Sequence, residues 1–126
     1  MKKIYMLVAM ALFFGTTFIH AELAPKHQQL ADLMLSGDLG KLKNAAKTIQ
    51  KQEISELELI DIAAQILLNK YPDAVASDID TLAWLARAIG ASENGRYYSV
   101  LNQVIENANN KKLVRHSKKA LKDLGD

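Results

Sequence analysis

Residues 77–90, SDIDTLAWLARAIG, decide the fold, because their apolar side chains nearly encircle a helix instead of forming one stripe. The helix must then have neighbours on more than one side, and we predict that it is the buried central helix. Ser77 and Asp80 are predicted to cap its start, and Gly90 to end it in a left-handed conformation. The apolar arc comprises Ile79, Leu82, Ala83, Leu85, Ala86 and Ile89, flanked by Trp84 and Ala88.

The bulk composition is typical of one small globular domain that is stabilised by packing alone. The chain has 126 residues, of which 49% are hydrophobic and 24% are charged, and it is neither disordered nor fibrous in composition. Its net charge of +2 comes from Lys2 and Lys3, since residues 22–126 hold 14 basic and 14 acidic residues. The absence of cysteine excludes a disulfide, a thiolate zinc site and a thiol nucleophile.

Residues 1–21 have the three-part build of a secretory signal: two lysines, an uncharged apolar run and the small residue Ala21. We predict cleavage after Ala21, which leaves a single domain, 22–126, in the periplasm or outside a bacterial cell. Cleavage after Ala24 is disfavoured because Pro25 follows it. The alternative is an uncleaved membrane anchor, although the 16-residue run is shorter than the roughly 20 residues that span a bilayer.

The rest of the chain is predicted to be all-α, because no alternating run of β-branched residues exceeds four positions. Pro25 suits a first helical turn, Asp38 and Asn94 suit N-caps, and Ser55 with Glu58 forms a capping box. Short loops favour neighbours in space. We therefore predict a stack of about three antiparallel helix hairpins, with helices near residues 25–36, 39–51, 56–70, 77–90, 95–108 and 111–124.

Residues 82–125 resemble a HEAT repeat. They read as the helix LAWLARAIG, a polar turn, the helix GRYYSVLNQVIENA, another turn and the helix VRHSKKALKDLG. Aligning Gly90 with Gly125 gives a period of 35 residues, shorter than the usual HEAT spacing of about 40, and residues 36–71 match in outline. The resemblance implies a HEAT-like α-solenoid fragment that binds other macromolecules through a helical face.

No motif indicates an enzyme, a cofactor or a metal. His27 and His116 lack a second ligand at metal-binding spacing, so we predict two surface histidines. Neither a G-x-S-x-G elbow nor a phosphate-binding glycine loop is present. We therefore predict no catalytic, cofactor-binding or metal-binding residues.

Two further groups of side chains fit a structural role better than a chemical one. Carboxylates on the same helical turn are expected to face solvent or to cap helices instead of performing acid-base chemistry; these pairs are Glu58 with Asp61 and Asp78 with Asp80. Aromatic residues at helical spacing beside leucines form a core more often than a stacking platform; these are Trp84, Tyr97 and Tyr98.

The last helix presents a basic face of five cations opposite its leucines: Lys112, Arg115, Lys118, Lys119 and Lys122. One interpretation is a solvated cap that keeps the open end of a solenoid soluble and complements the helix dipole. The other is a surface for an acidic partner. A second candidate face lies on the preceding helix and comprises Arg96, Tyr98, Ser99, Asn102 and Gln103.

These observations predict an exported, non-enzymatic helical-repeat domain that acts as a protein-protein interaction module or scaffold. The alternative is a domain that binds a polyanion or an anionic membrane surface through the basic last helix. We expect an unidentified protein partner, no cofactor, no nucleic acid, and membrane contact only through the signal segment or weakly through the basic face. Binding through a basic surface should weaken steeply with salt, whereas a packed interface should not.

Overall fold

The computed structural model describes residues 23–125, which form six α-helices and contain no strand. A 3-10 turn, Tyr71–Asp73, follows the third helix, and another, Gly95–Tyr97, precedes the fifth. The predicted all-α class and helix positions are confirmed, whereas the predicted signal segment, residues 1–21, lies outside the described residues. The helices are α1 (Pro25–Leu35), α2 (Leu39–Lys51), α3 (Leu57–Lys70), α4 (Ala76–Ala91), α5 (Tyr98–Asn107) and α6 (Lys111–Asp123).

Local capping explains several helix boundaries. The Asp38 carboxylate accepts a hydrogen bond of 3.0 Å from a first-turn N–H group of α2. Asn94 accepts one of 2.9 Å at the 3-10 turn before α5, and Asn110 accepts one of 3.0 Å at the start of α6. Pro25 is the first residue of α1, where the N–H group that it lacks has no helical partner. The predictions for Asp38, Asn94 and Pro25 are confirmed.

The predicted capping box before α3 is wrong. The helix begins at Leu57, and Glu56 occupies the N-cap without a side-chain hydrogen bond. Ser55 therefore lies one residue before the cap. Its hydroxyl and the Glu58 carboxylate are out of the register that a reciprocal capping box requires.

The start of α4 also differs from the prediction. The helix begins at Ala76, so Ser77 lies inside it instead of capping it. Asp78 supplies the terminal hydrogen bond, since its Oδ2 atom accepts from the backbone N–H of Val75 at 3.0 Å. Asp80 is thereby left free for contacts with other helices.

Helix α4 is the central helix, as predicted. It packs against α2, α3 and α6, and nine of its sixteen residues are buried, compared with four of thirteen in α2. Even Thr81, which interrupts the apolar arc, is only 4% exposed. The nearly encircling pattern of apolar residues therefore reflects contact on several sides.

Gly90 does not end α4, contrary to the prediction. It lies within the helix, which continues to Ala91, and the left-handed residue that follows is Glu93 with φ 53°. A methyl group at position 90 would lie 2.7 Å from the Cα and carbonyl oxygen atoms of Ala120 in α6. The glycine therefore allows the backbones of α4 and α6 to approach closely.

The helices are arranged in two rows. Each odd-numbered helix packs against the helix that follows it: α1 on α2, α3 on α4, and α5 on α6. Neighbouring even-numbered helices also pack side by side, as do neighbouring odd-numbered ones. We refer to α2, α4 and α6 as the even row and to α1, α3 and α5 as the odd row. Helix α4 therefore occupies the middle of the even row.

Candidate functional site

The even row carries most of the positive charge of the described residues. Its helices contain eleven Lys or Arg residues and three Asp residues, whereas the odd-row helices contain two Lys residues and four acidic residues. Helix α2 has no acidic residue, and α6 has six cations and one carboxylate. The two basic helices α2 and α6 lie on either side of α4, which carries Asp78, Asp80 and Arg87.

A cleft lies between α4 and α6 in this row. It has a volume of about 170 Å³. Its lining residues recur at three- and four-residue steps, which places them on one side of each helix. Ala83 and Trp84 of α4 form its apolar wall. The polar groups come from Asp80 and Arg87 of α4 and from Lys112 and His116 of α6.

Asp80 connects all three helices of the even row. Its Oδ2 atom lies 2.6 Å from the Nζ atom of Lys43 in α2, and its Oδ1 atom lies 3.1 Å from the Nζ atom of Lys112 in α6. The hydrogen bonds from Lys43 and then Lys112 hold the pKa of the Asp80 carboxyl below its usual range. One carboxylate is thus shared by two cations, and the positive charge of Arg87 remains in excess.

Trp84 forms the apolar wall of the cleft. It is half-buried and packs against the core, and the Lys47 Nζ atom lies 5.2 Å from its ring centroid, within the range of a cation-π contact. Tyr97 is completely buried, as a core residue should be, whereas Tyr98 is 48% exposed. The three aromatic residues therefore do not form a common stacking platform.

Two further cleft residues have unusual surroundings. The Nε atom of Arg87 is shielded from solvent and has no hydrogen-bond partner among the described residues. Burial lowers the pKa of His116 below its usual value, and the charges of Arg87 and neighbouring cations on α6 lower it further. The neutral form of His116 is therefore favoured, mainly by burial and secondarily by the neighbouring cations.

The two histidines that were predicted to lie at the surface are both partly buried and partly exposed. The Nδ1 atom of His27 in α1 lies 3.6 Å from a carboxylate oxygen of Glu56, before α3, whereas His116 lies on α6. Within residues 23–125, no group of three or more His, Cys, Asp or Glu residues is arranged to hold a metal ion.

The five residues of the basic face are all exposed, but their surroundings differ. Lys112 is paired with Asp80 and lines the cleft. A second hollow, next to the start of α6, is lined in part by Arg115 and Lys118. No ion pair to a described residue engages the remaining cations of the face, which are Arg115, Lys118, Lys119 and Lys122.

The second candidate face is only partly open. Tyr98 and Ser99 are exposed, whereas Asn102 and Gln103 are half-buried. The guanidinium of Arg96 is held by a carboxylate of α3. Arg96 is thus exposed, but its guanidinium is engaged in a contact with α3.

That carboxylate belongs to a buried polar cluster that the sequence analysis missed. Asp61 is 3% exposed and accepts hydrogen bonds from Arg96 Nε at 3.2 Å, Arg96 Nη2 at 3.0 Å and the Tyr97 hydroxyl at 2.8 Å. Burial raises the pKa of Tyr97 far above its usual range, and the adjacent Asp61 carboxylate raises it further. The hydrogen bonds of this cluster link α3 to the 3-10 turn that precedes α5.

Asp61 was predicted to face solvent with Glu58, and the structure corrects this prediction for Asp61. Its partners lie 35 and 36 residues away in the sequence, so no local pattern reveals them. One sequence feature could have indicated its burial: the apolar residues of α3 cover more than half of the helix circumference, so few positions remain for polar side chains that face solvent.

Comparison of the chain with protein-family models, with curated proteins and with solved structures finds no match. None of the helices in the described part of the chain is both long and apolar enough to cross a membrane. The class that the structure defines is thus a two-row, all-helical domain with a basic row and a small cleft between two helices of that row.

Proposed function

We propose that the chain is an exported, non-enzymatic helical-repeat domain that binds an acidic segment of a partner protein through its even row. The observation that carries this proposal is the ratio of eleven cations to three carboxylates in three helices that lie side by side. Charge complementarity of this kind accelerates association with an oppositely charged partner and selects against like-charged ones.

A repeated pattern in the even row supports the solenoid-like, HEAT-like build. Left-handed residues follow each helix of the row: Glu53 after α2, Glu93 after α4 and Gly125 after α6, at intervals of 40 and 32 positions. Buried residues recur with the same spacing of 32: Thr81, Leu85, Ala88 and Ser92 at α4, and Leu113, Ser117, Ala120 and Leu124 at α6. Two successive units therefore present equivalent helix faces.

The cleft favours a protein as the partner. Phosphate backbones are bound mainly by cations, in a manner that is independent of sequence. Here the cations adjoin an indole ring and Ala83 in a cleft of about 170 Å³, and apolar anchors in small pockets contribute strongly to protein interfaces.

The proposal is tested by retention of residues 22–126 on immobilised poly-glutamate at rising salt. We expect retention at low ionic strength and elution near 0.1 M salt, where the screening length falls to about 10 Å. A variant with Lys118→Gln and Lys122→Gln should elute at a lower salt concentration than the wild type. The matched control, with Lys26→Gln and Lys70→Gln in the odd row, has the same net charge and should elute like the wild type.

The alternative of an anionic membrane surface is favoured by one observation: four cations of the basic face have no ion pair with a described residue. Each basic residue near an anionic bilayer contributes about 1 kcal/mol to binding. Sedimentation with phosphatidylglycerol vesicles, compared with phosphatidylcholine vesicles, decides between the two. Binding to the anionic vesicles without binding to poly-glutamate would replace the protein partner by a lipid surface.

A further inference from the structure

The cleft between α4 and α6 contains a guanidinium donor that the described residues leave unused. The Nε atom of Arg87 is inaccessible to solvent and has no hydrogen-bond partner among them. A buried donor without a partner costs about 1–3 kcal/mol, and His27, Gln65 and Ser117 also have such atoms, but of these four residues Arg87 alone is a cation in this cleft. The Nε atom itself cannot be reached from outside, so an incoming acceptor would bind the guanidinium through the part of Arg87 that lines the cleft.

The charge of the cleft determines the sign of that acceptor. Asp80, the one carboxylate in the lining, already binds Lys43 and Lys112 on opposite oxygens. Arg87 has no comparable ion pair with the described residues. The positive surroundings also contribute to the lowered pKa of His116. An incoming group with a negative charge would therefore be stabilised by the site as it stands.

The size and apolar wall of the cleft restrict the group further. Its volume of about 170 Å³ is smaller than the roughly 300–1,000 Å³ of pockets for drug-sized ligands. It therefore fits one side chain or a fragment of similar size. Ala83 and the half-buried Trp84 adjoin Arg87, so a ligand that reaches the guanidinium also covers apolar surface.

We propose that this cleft binds a carboxylate carried beside an apolar group, as an anchor within the acidic segment of the protein partner. Arg87 binds the carboxylate, for which the planar guanidinium is better suited than an ammonium group, and Trp84 contacts the apolar part. The inference rests on the proposed function, because it assigns the anchor point of the same interface.

Trp84 is the only tryptophan of the chain, so tryptophan fluorescence arises from the apolar wall of this cleft. We would titrate residues 22–126 at low salt with benzoate, benzamide and inorganic phosphate. Benzoate has both the carboxylate and the apolar group, and each of the others lacks one of them. Saturable binding is expected for benzoate, with affinities at least about tenfold lower for the other two, which corresponds to about 1.4 kcal/mol.

Variants at Arg87 test the assigned contact. Arg87→Gln should weaken benzoate binding at least tenfold, and Arg87→Lys, which keeps the charge but lacks the planar fork, should weaken it by a smaller factor. Lys70→Gln, an exposed residue of the odd row, is the control and should bind benzoate like the wild type. Thermal melts of all three establish that the domain is folded.

Each contrary outcome overturns the inference. Equal binding of benzamide would show a merely apolar hollow, and equal binding of phosphate would show an anion site without the apolar requirement. Unchanged benzoate affinity in both Arg87 variants, or no benzoate binding at all, would remove the carboxylate anchor.

The poly-glutamate experiment distinguishes the absence of the carboxylate anchor from the failure of the proposed function. If the protein is retained on poly-glutamate but does not bind benzoate, the even row binds acidic protein without this anchor. Benzoate binding without retention on poly-glutamate would leave a small-ligand site and remove the wider acidic interface.

Discussion

At the scale of single residues, Gly90 shows how one missing side chain determines the distance between two helices. Its position inside α4 is unfavourable for the helix itself, because glycine in a helix interior costs about 1 kcal/mol relative to alanine. The close approach of Ala120 in α6 explains why glycine is nonetheless suited to this position. Tertiary contact here outweighs intrinsic helix propensity.

We predict that Gly90→Ala destabilises the domain by about 1–3 kcal/mol, the usual cost of overpacking, despite the gain in helix propensity. Urea denaturation measures this change. Gly95→Ala is the control, since a methyl group there meets no atom within 4 Å. A Gly90→Ala variant as stable as the wild type would show that α4 and α6 can separate without cost.

Glu93 is a residue whose backbone conformation is strained. Its φ of 53° is unfavourable for residues with a Cβ atom, by about 1–2 kcal/mol for a left-handed conformation. Glu93→Gly should therefore raise the free energy of unfolding by about 0.5–1 kcal/mol, after allowance for the greater freedom of glycine in the unfolded chain.

The reverse substitution, from glycine to alanine at another left-handed position, tests the same argument. Gly37 has φ 86°, and a methyl group there meets no atom within 4 Å, so Gly37→Ala should lose stability through backbone strain alone. Thermal melts of the two variants should shift in opposite directions. If Glu93→Gly is destabilising, the carboxylate of Glu93 has a role that outweighs the strain.

The pH dependence of stability should carry a contribution from His116. Burial, followed by Arg87, Arg115 and Lys112, lowers the folded-state pKa of His116, and Asp80 opposes them in part. The unfolded chain has the ordinary value near 6.5 and takes up a proton that the folded state resists. Stability attributable to this group is therefore present above pH ~6.5 and decreases as the pH falls below that value.

We expect His116→Gln to lose less stability than the wild type between pH 7 and pH 5. Urea melts at half-unit pH intervals measure the difference, and the other titratable groups contribute equally to both proteins. Parallel curves for the two proteins would mean that His116 titrates alike in the folded and unfolded states.

At the scale of helices, the Asp61 cluster fastens α3 to α5, which otherwise share a small part of the interface in the odd row. Asp61→Ala should destabilise by about 2–4 kcal/mol, because it leaves the Tyr97 hydroxyl and the Arg96 guanidinium without their main acceptor. Glu58→Ala, one turn earlier on the same helix, is the control and should cost less than ~1 kcal/mol.

A double-mutant cycle separates this contact from general loss of packing. Asp61→Ala and Tyr97→Phe should couple by about 0.5–3 kcal/mol, as groups in one hydrogen-bond network do. Additive effects of the two substitutions would indicate that the hydroxyl and the carboxylate stabilise the protein independently.

At the scale of the whole molecule, the two rows differ in charge, with the basic residues concentrated in α2 and α6. Under the proposed function, the even row is the surface for an acidic partner, while the packing between the rows forms one continuous core. The proposed location of the protein outside the cytoplasm determines which partners it can meet.

Export is tested directly by intact mass. We predict that the full chain expressed in a bacterium is recovered from the periplasm or medium as residues 22–126, because two lysines, an apolar run and Ala21 form a cleavable signal. Lys2→Glu with Lys3→Glu should reduce processing. A recovered protein that retains residues 1–21 and sediments with membranes would instead indicate an anchor.

The sequence by itself determined the helices and most of their boundaries. Helical periodicity and capping act over about four residues, so the caps at Asp38 and Asn94 and the start at Pro25 could be predicted from adjacent residues alone. The central position of α4 was also predictable, since a helix with apolar residues on most of its surface requires several neighbours.

Only the tertiary structure decided which polar residues are buried and which small residues lie where two helices approach closely. Asp61 becomes buried because Arg96 and Tyr97 reach it from 35 and 36 residues away, and Gly90 matters because α6 crosses it. The cleft likewise depends on α4 and α6 lying side by side. Helix formation is governed by local interactions, whereas burial, ion pairing and cavity shape depend on contacts between residues that are distant in sequence.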